Sequence, residues 1–321
     1  MDYNRICAAN DRLMGHKRVT PLLSSPFLDD IAGKRVFVKP ECLQHTGSFK
    51  YRGAFSAVSA LSDETRAKGV IAFSSGNHAQ GVALAARQHG ISSVIIMPAD
   101  APKTKIDNTR ALGAEVVLYD REHEDRDEIG ARISQERDLT LIKPFDEPEV
   151  IAGQGTCGLE IAEQAAKLGI ADADVLVCCG GGGLTSGIAL ALEQDAPNMR
   201  VRPVEPEGFD DVCRSLISGQ IERNPTTLGS LCDAIVTLSP GQLTFPIMQR
   251  LCHAGVTVTE EQALRAVQLA HDRLKITVEP GGAVALAAAL FHGDQITSDC
   301  VIAVASGGNV DRDVFERALT A

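Results

Sequence analysis

The stretch VLVCCGGGGLTSG, Val175 to Gly187, runs from a short apolar segment into four consecutive glycines and then into a helical pattern. A tight turn uses one or two glycines. Four in succession leave several backbone N–H groups bare, able to converge on an anion, and the helix that follows adds the positive end of its dipole. Gly180, Gly181, Gly182 and Gly183 therefore read as a phosphate cradle between a buried strand and a helix. The segment lacks the spacing and the lysine of a Walker A loop, so nucleotide hydrolysis is not implied.

The strand-loop-helix unit repeats outward from this point. Short β-branched runs at Arg35–Val38, Val70–Phe73, Ser93–Met97, Glu115–Tyr119, Asp174–Cys179, Val201–Glu205 and Cys300–Ala305 read as strands. Apolar residues at i, i+3 and i+4 predict helices over Phe49–Leu61, Ala79–His89, Thr104–Leu112, Glu128–Gln135, Leu159–Leu168, Leu184–Gln194, Glu260–Leu274 and Val284–Phe291. Such alternation is the pattern of α/β folds with parallel sheets. A polar helix end before Val70, and Pro144 with Pro148, mark two boundaries. They predict a small domain, residues 69–146, inserted into a large one made of residues 1–68 and 147–321, with a ligand cleft between them.

Composition narrows the partners. The chain has 321 residues, 44% hydrophobic and 23% charged, with 31 basic against 42 acidic residues and a net charge of -11. No basic stretch follows a nucleic-acid backbone, so nucleic acid is not an expected partner. No apolar run is long enough to span a bilayer and the first twenty residues lack the core of a signal peptide, so no membrane association and a cytoplasmic location are expected. The nine cysteines are odd in number, two of them adjacent at Cys178 and Cys179, and read as reduced thiols. No C-x-x-C pair supports a zinc site.

Gly153, Gly155 and Gly158 match G-x-G-x-x-G, with Asp172 and Asp174 about twenty positions on. A dinucleotide fingerprint must follow a buried strand, and this one follows Glu147-Pro148-Glu149, so these glycines read as a loop entering a helix. Lys50, in Thr46-Gly47-Ser48-Phe49-Lys50, falls in the first turn of a predicted helix that Ser48 can cap. A cleft at that helix end would lower its ammonium pKa, which an amine needs to form an imine.

Four segments in order, TGSFKYRGA (Thr46–Ala54), SSGNHAQGVA (Ser74–Ala83), CGGGGLTSG (Cys179–Gly187) and ASGGNVD (Ala305–Asp311), resemble the signature segments of the fold-type II pyridoxal phosphate enzymes. More narrowly they are similar to the threonine/serine dehydratase and serine racemase family, over nearly the whole chain. The resemblance implies a two-lobed, tryptophan synthase β-like fold with parallel-sheet cores and the cofactor in the interlobe cleft. It places Lys50 as the lysine that carries pyridoxal 5'-phosphate, Gly180 to Gly183 with Leu184 as the phosphate cup, Asn77 at the 3'-oxygen, Phe49 beside the ring and Ser306 at the pyridine nitrogen. A neutral hydroxyl at Ser306 does not enforce ring protonation, which favours elimination or fast reprotonation over transamination. Ser74, Ser75, Asn77 and His78 open a helix suited to a substrate carboxylate, and Arg126 aligns with a substrate-contacting arginine of the racemases.

Glu205 and Asp211 flank a turn and are hard oxygen donors. With the carbonyl of Phe209 they match the family's cation site, for Mg²⁺, Ca²⁺ or Mn²⁺. The dehydratases with feedback control carry a C-terminal regulatory domain, and the chain ends soon after ASGGNVD, so such control is not expected. Ser25, Pro26 and His45 depart from the ATP-binding positions of the mammalian-type racemases, which tilts the reading toward a dehydratase. The reading is a pyridoxal phosphate ammonia-lyase acting on threonine, serine or 3-hydroxyaspartate, with the Ser239-Pro240-Gly241-Gln242 loop near the substrate side chain. The rival is a racemase with Lys50 and Ser75 as opposed acid and base; a ligand-binding protein without chemistry is the third reading, which has no need of Lys50. A homodimer is implied by the family.

Overall fold

The computed structural model describes residues 1–74, 76–101, 103–120 and 122–320. Ten strands occur among them: β1 Leu23–Ser24, β2 Arg35–Pro40, β3 Val70–Phe73, β4 Ser93–Pro98, β5 Glu115–Tyr119, β6 Thr140–Leu141, β7 Ala173–Cys178, β8 Met199–Pro206, β9 Val256–Val258 and β10 Cys300–Ala305. The helices are α1 Tyr3–Leu13, α2 Pro26–Ala32, α3 Lys50–Ala60, α4 Asp63–Lys68, α5 Asn77–Gln88, α6 Lys103–Ala111 and α7 Arg126–Arg137. Then follow α8 Pro148–Lys167, α9 Gly183–Asp195, α10 Asp211–Ser218, α11 Thr244–Leu251, α12 Glu260–Leu269, α13 Pro280–Phe291 and α14 Arg312–Leu319.

The strands form two sheets, one of six in the order β1-β2-β10-β7-β8-β9 and one of four in the order β5-β4-β3-β6. Only the β1–β2 pair is antiparallel. β7 and β10 are buried along their whole length, which is why they read as unbroken apolar runs: helices cover both faces of a parallel sheet. α13 packs on one face of the large sheet, and its residues from Pro280 to Leu290 are all buried. α3 packs against both α5 and α8 and so spans the small sheet's core and the large one's helical layer.

Two local expectations fail. Gly153, Gly155 and Gly158 lie inside α8, which starts at Pro148 rather than near Leu159. A Cβ at Gly153 would sit 2.3 Å from the Arg52 carbonyl, one at Gly155 2.9 Å from the Gly187 carbonyl and one at Gly158 2.8 Å from the Ala191 methyl. These glycines let α8 press against α3 and α9; helix packing outweighs their poor intrinsic helicity. Ser48 does not cap α3: Phe49 stands at the cap position, and the Ser48 hydroxyl is buried without a partner.

The loops that leave the C-terminal ends of β2, β3, β7 and β10 carry the four signature segments. Ligands of open parallel sheets bind at that edge. The first and last segments are joined by backbone: Phe49 N–H donates to the Ser306 carbonyl at 3.1 Å and Gly308 N–H to Gly47 at 2.9 Å, while Glu279 N–H donates to Gly307 at 3.0 Å.

Candidate active site

One cavity of about 610 Å³ opens where these loops meet. Phe49, Lys50, Ser74, Asn77, His78, Arg126, Gly180 to Gly183 and Leu184 all line it. Ser75, the second expected acid/base, lies outside the described residues.

Lys50 opens α3, and its Nζ donates to the Pro144 carbonyl at 2.8 Å and lies 5.1 Å from the centre of the Phe49 ring. Loss of hydration pulls its ammonium down to about 8, against an opposing pull from the Glu279 carboxylate. Asn77 heads α5. Its Nδ2 donates to Glu279 Oε1 at 2.6 Å, and its Oδ1 accepts from Asn309 Nδ2 at 2.6 Å. Asn309 Nδ2 also donates to the Thr46 carbonyl at 2.8 Å, so the lysine loop and the asparagine share one network. His78 is buried, with Nε2 2.9 Å from the Ile142 carbonyl and Nδ1 without a partner. Burial, then the nearby charge of Lys50, push its pKa down to about 3, so the ring is neutral; with Nε2–H donating to the carbonyl, Nδ1 is an acceptor.

The glycine loop cannot carry side chains. A Cβ at Gly180 would meet the Ile235 carbonyl at 2.5 Å, one at Gly181 the Phe145 ring at 2.3 Å and one at Gly183 Gln154 Oε1 at 2.5 Å. Gly182, at φ +90°, takes a backbone form that L side chains rarely adopt. Its backbone leads directly into α9, the arrangement that receives a phosphate. Gln154 Oε1, on the same wall, is buried and unpartnered. An amine drawn toward neutrality and a cradle of bare amides in one cavity fit pyridoxal phosphate.

Ser306 is buried just past the end of β10 and does not itself line the cavity; Cys178, whose thiol donates to the Gly282 and Val304 carbonyls at 3.3 Å, does. Sequence reasoning missed Glu279, Asn309 and Phe145. Glu279 stands directly before the apolar helix α13, where a carboxylate reads as an ordinary helix-start residue. Burial pushes its carboxyl up to about 7. Phe145 was hidden in a segment that reads only as a boundary.

Glu205 and Asp211 come together away from the cavity, at the end of β8 and the start of α10. Glu205 accepts from Val212 N–H at 3.0 Å and Cys213 N–H at 2.7 Å. Asp211 Oδ1 accepts from Asn224 Nδ2 at 2.6 Å, and Oδ2 has no partner. Burial, then the charge of Asp211, push Glu205 up to about 8, and burial pushes Asp211 up to about 7. Two buried carboxylates with an unmet oxygen fit a divalent cation in chemistry; among the described residues no three His, Cys, Asp or Glu side chains converge on one point, so backbone or water oxygens would complete the set.

Two signals, the fold with a lysine at a helix start and the glycine loop facing it across a shared cavity, define the fold-type II class of enzymes. The chain belongs to the pyridoxal-phosphate dependent enzyme family, whose model matches residues 13–307. It is 40% identical to the L-threo-3-hydroxyaspartate ammonia-lyase of Saccharomyces cerevisiae over 96% of this chain and 93% of that one. It is equally 40% identical to the serine racemase of Arabidopsis thaliana, over 97% and 93%. The crystal structure of the T.th. threonine deaminase superposes with a TM-score of 0.91 at 44% identity, covering 97% of this chain and 99% of that one. Among the described residues, no helix is long and apolar enough to cross a membrane.

Proposed function

We propose that the chain is a pyridoxal phosphate-dependent ammonia-lyase that converts a small 3-hydroxy amino acid, threonine, serine or 3-hydroxyaspartate, to a 2-oxo acid and ammonia. The observation that carries this reading is Lys50: an amine with one neutral acceptor, drawn down to about 8, in the same cavity as the glycine loop. Relatives named as ammonia-lyases support it.

Gly180 to Gly183 and the N-terminus of α9 would hold the phosphate, with Leu184 beside them. Phe49 and Asn77 would flank the ring, and Ser306 would face its nitrogen. When bound, the cofactor supplies an aldehyde that condenses with amines and a conjugated ring that accepts electrons from the substrate α-carbon. Lys50 Nζ takes the α-proton. The start of α5 binds the substrate carboxylate through the backbone N–H groups of Asn77 and His78 and the hydroxyls of Ser74 and Ser75, and Arg126 adds a positive charge to the same cavity. The 3-hydroxyl leaves with a proton as water, and one water is taken up as the nitrogen departs. The net products are the 2-oxo acid and ammonium.

The test is the near-ultraviolet and visible absorbance of the purified protein, followed by a 2-oxo acid assay with the three candidate substrates. A yellow band that shifts with substrate and yields a 2-oxo acid is expected; no 2-oxo acid from any of them overturns the reading. Racemisation by Lys50 and Ser75 is the second reading, supported by the serine racemase relatives. Ser75→Ala separates the two, since a racemase then stops interconverting enantiomers while a lyase that uses Lys50 keeps forming 2-oxo acid.

Further parts of the proposal are Mg²⁺, or Ca²⁺ or Mn²⁺, at Glu205, the Phe209 carbonyl and Asp211; a homodimer; and residues 69–146 as a small domain against residues 1–68 and 147–321. A cytoplasmic location is supported by nine unpaired cysteines.

A further inference from the structure

The cavity carries more positive charge than Lys50 alone supplies. Its lining holds four cationic side chains, Lys50, Lys105, Arg126 and Arg223, against two carboxylates, Asp233 and Glu279. The whole chain, by contrast, carries a net charge of -11. Lys105 is already matched, with its Nζ 3.6 Å from Asp233 and 3.4 Å from Asp311. Arg223 is different. It is exposed, and among the described residues its guanidinium has no hydrogen bond or ion pair; only its backbone carbonyl is engaged, by Arg214 at 3.3 Å.

The backbone that presents Arg223 is fixed. The next residue, Asn224, is buried; its N–H donates to the Leu238 carbonyl at 2.8 Å, and its side chain donates to the Thr237 carbonyl at 2.9 Å and to Asp211 at 2.6 Å. Thr237, Leu238 and Ser239 line the cavity and lead into the loop expected to meet the substrate side chain. The backbone that carries this unpaired guanidinium is thus held beside Thr237 to Ser239, the wall that leads into the loop expected to meet the 3-substituent. A guanidinium matches a carboxylate with two parallel donors, while a methyl or hydrogen at that point gives it nothing. In an acidic protein a basic cavity mouth also concentrates anionic substrates.

We propose that Arg223 is a specificity-determining residue that binds a second carboxylate, so that the preferred substrate is an acidic 3-hydroxy amino acid of the 3-hydroxyaspartate type. This rests on the lyase reading above for its reaction, while the carboxylate site stands on its own.

The test compares wild-type holoenzyme with Arg223→Ala, Arg223→Lys and Arg223→Glu. The measured quantity is the ratio of kcat/KM for threo-3-hydroxyaspartate to that for threonine. The wild type should prefer the dicarboxylate, Arg223→Ala should lower the ratio by about tenfold or more, Arg223→Glu should lower it further, and Arg223→Lys should recover part of it. A purely structural role for Arg223 would depress both substrates together and leave the ratio unmoved. A binding measurement accompanies the kinetics: succinate, which has the two carboxylates without the reacting groups, should bind saturably and in a salt-dependent way to the wild type and more weakly to Arg223→Ala. An unchanged ratio with working 2-oxo acid production overturns the role of Arg223 and leaves the lyase reading standing. If no 3-hydroxy amino acid reacts, the lyase reading fails, and the succinate titration alone decides the carboxylate site.

Discussion

Lys50 and Arg52 lie two residues apart at the start of α3, and their surroundings differ in one respect that decides their chemistry. Arg52 is fully buried, and its guanidinium meets Glu41 at 2.7 and 2.8 Å, Glu160 at 2.8 and 2.9 Å and Thr156 at 3.2 Å. Glu160 also receives Lys39 at 2.7 Å and Lys17 at 2.9 Å. Burial opposes both charges, yet the partners win: Arg52 is held above its ordinary value and Glu160 down to about 2. Lys50 has a single carbonyl and gives up affinity for its proton. Matched burial preserves a charge, and unmatched burial releases it.

The largest effect expected is that of Lys50→Ala, which should cut turnover by about a thousandfold or more while leaving the melting temperature close to wild type, because Lys50 is held by one carbonyl and by no ion pair. Full activity in that variant would sink the assignment. Arg52→Met should do the reverse. It leaves Glu41 and Glu160 without their fork, and urea denaturation should show a loss of about 3–5 kcal/mol; an unchanged midpoint would mean that Lys39 and Lys17 suffice.

Two glycine substitutions sharpen the same contrast. Gly181→Ala puts a methyl on the Phe145 ring and should weaken cofactor binding about tenfold before it lowers stability. Gly153→Ala drives a methyl against the Arg52 carbonyl and should cost about 1–3 kcal/mol of stability first. Equilibrium dialysis of the cofactor and urea melts, run on both, distinguish them.

Smaller effects follow from pH. With its ammonium at about 8, Lys50 is about one-tenth neutral at neutral pH. The rate at which apoprotein takes up pyridoxal phosphate should therefore climb with pH and level off near that value; a climb continuing toward 10.5, the value of a free lysine, would show that the amine is not perturbed. Glu205 and Asp211 are the acidic counterpart of Lys50, carboxyls whose pKa values burial pushes up. Their folded values of about 8 and 7 exceed the ordinary 4.5 and 3.8, so the folded state binds the extra protons. Their contribution is complete below about pH 4 and falls as pH rises from there, being gone once pH passes the folded values of about 7 to 8. Metal-stripped protein should lose stability across that window, and Mg²⁺ should restore it most at the upper end. A Mg²⁺ effect that is the same at low and high pH would argue against binding at this pair.

The parallel-sheet architecture was legible because buried strands announce themselves. The buried Val70–Phe73 and Cys300–Ala305 are bounded as the sequence predicts, as is the more exposed Glu115–Tyr119, whose β-branched run carries the signal, and the other expected strands differ by one or two residues at their ends. The short strands Leu23–Ser24, Thr140–Leu141 and Val256–Val258 escaped, since two or three residues carry no periodicity. α8 was read too short because glycine and proline are local breakers, and only the proximity of α3 and α9 shows why glycine is wanted there. At the site, Lys50 and the glycine loop could be read because each sits in a motif whose chemistry is local. Glu279 could not, since nothing near it in sequence shows that Asn77, 202 positions away, donates to it.

The sequence by itself determined the alternation of strand and helix, the bare backbone of Gly180 to Gly183 and the amine at a helix start, because each depends on residues within a few positions of one another. Tertiary structure decided which buried charges are matched and which are not. Lys50 holds its proton more weakly and Arg52 more tightly because of Glu41, Glu160 and a carbonyl at Pro144, groups brought close only when the sheets and α8 are packed. The pKa of a buried group is set by its neighbours in space, and those neighbours come from the whole length of the chain.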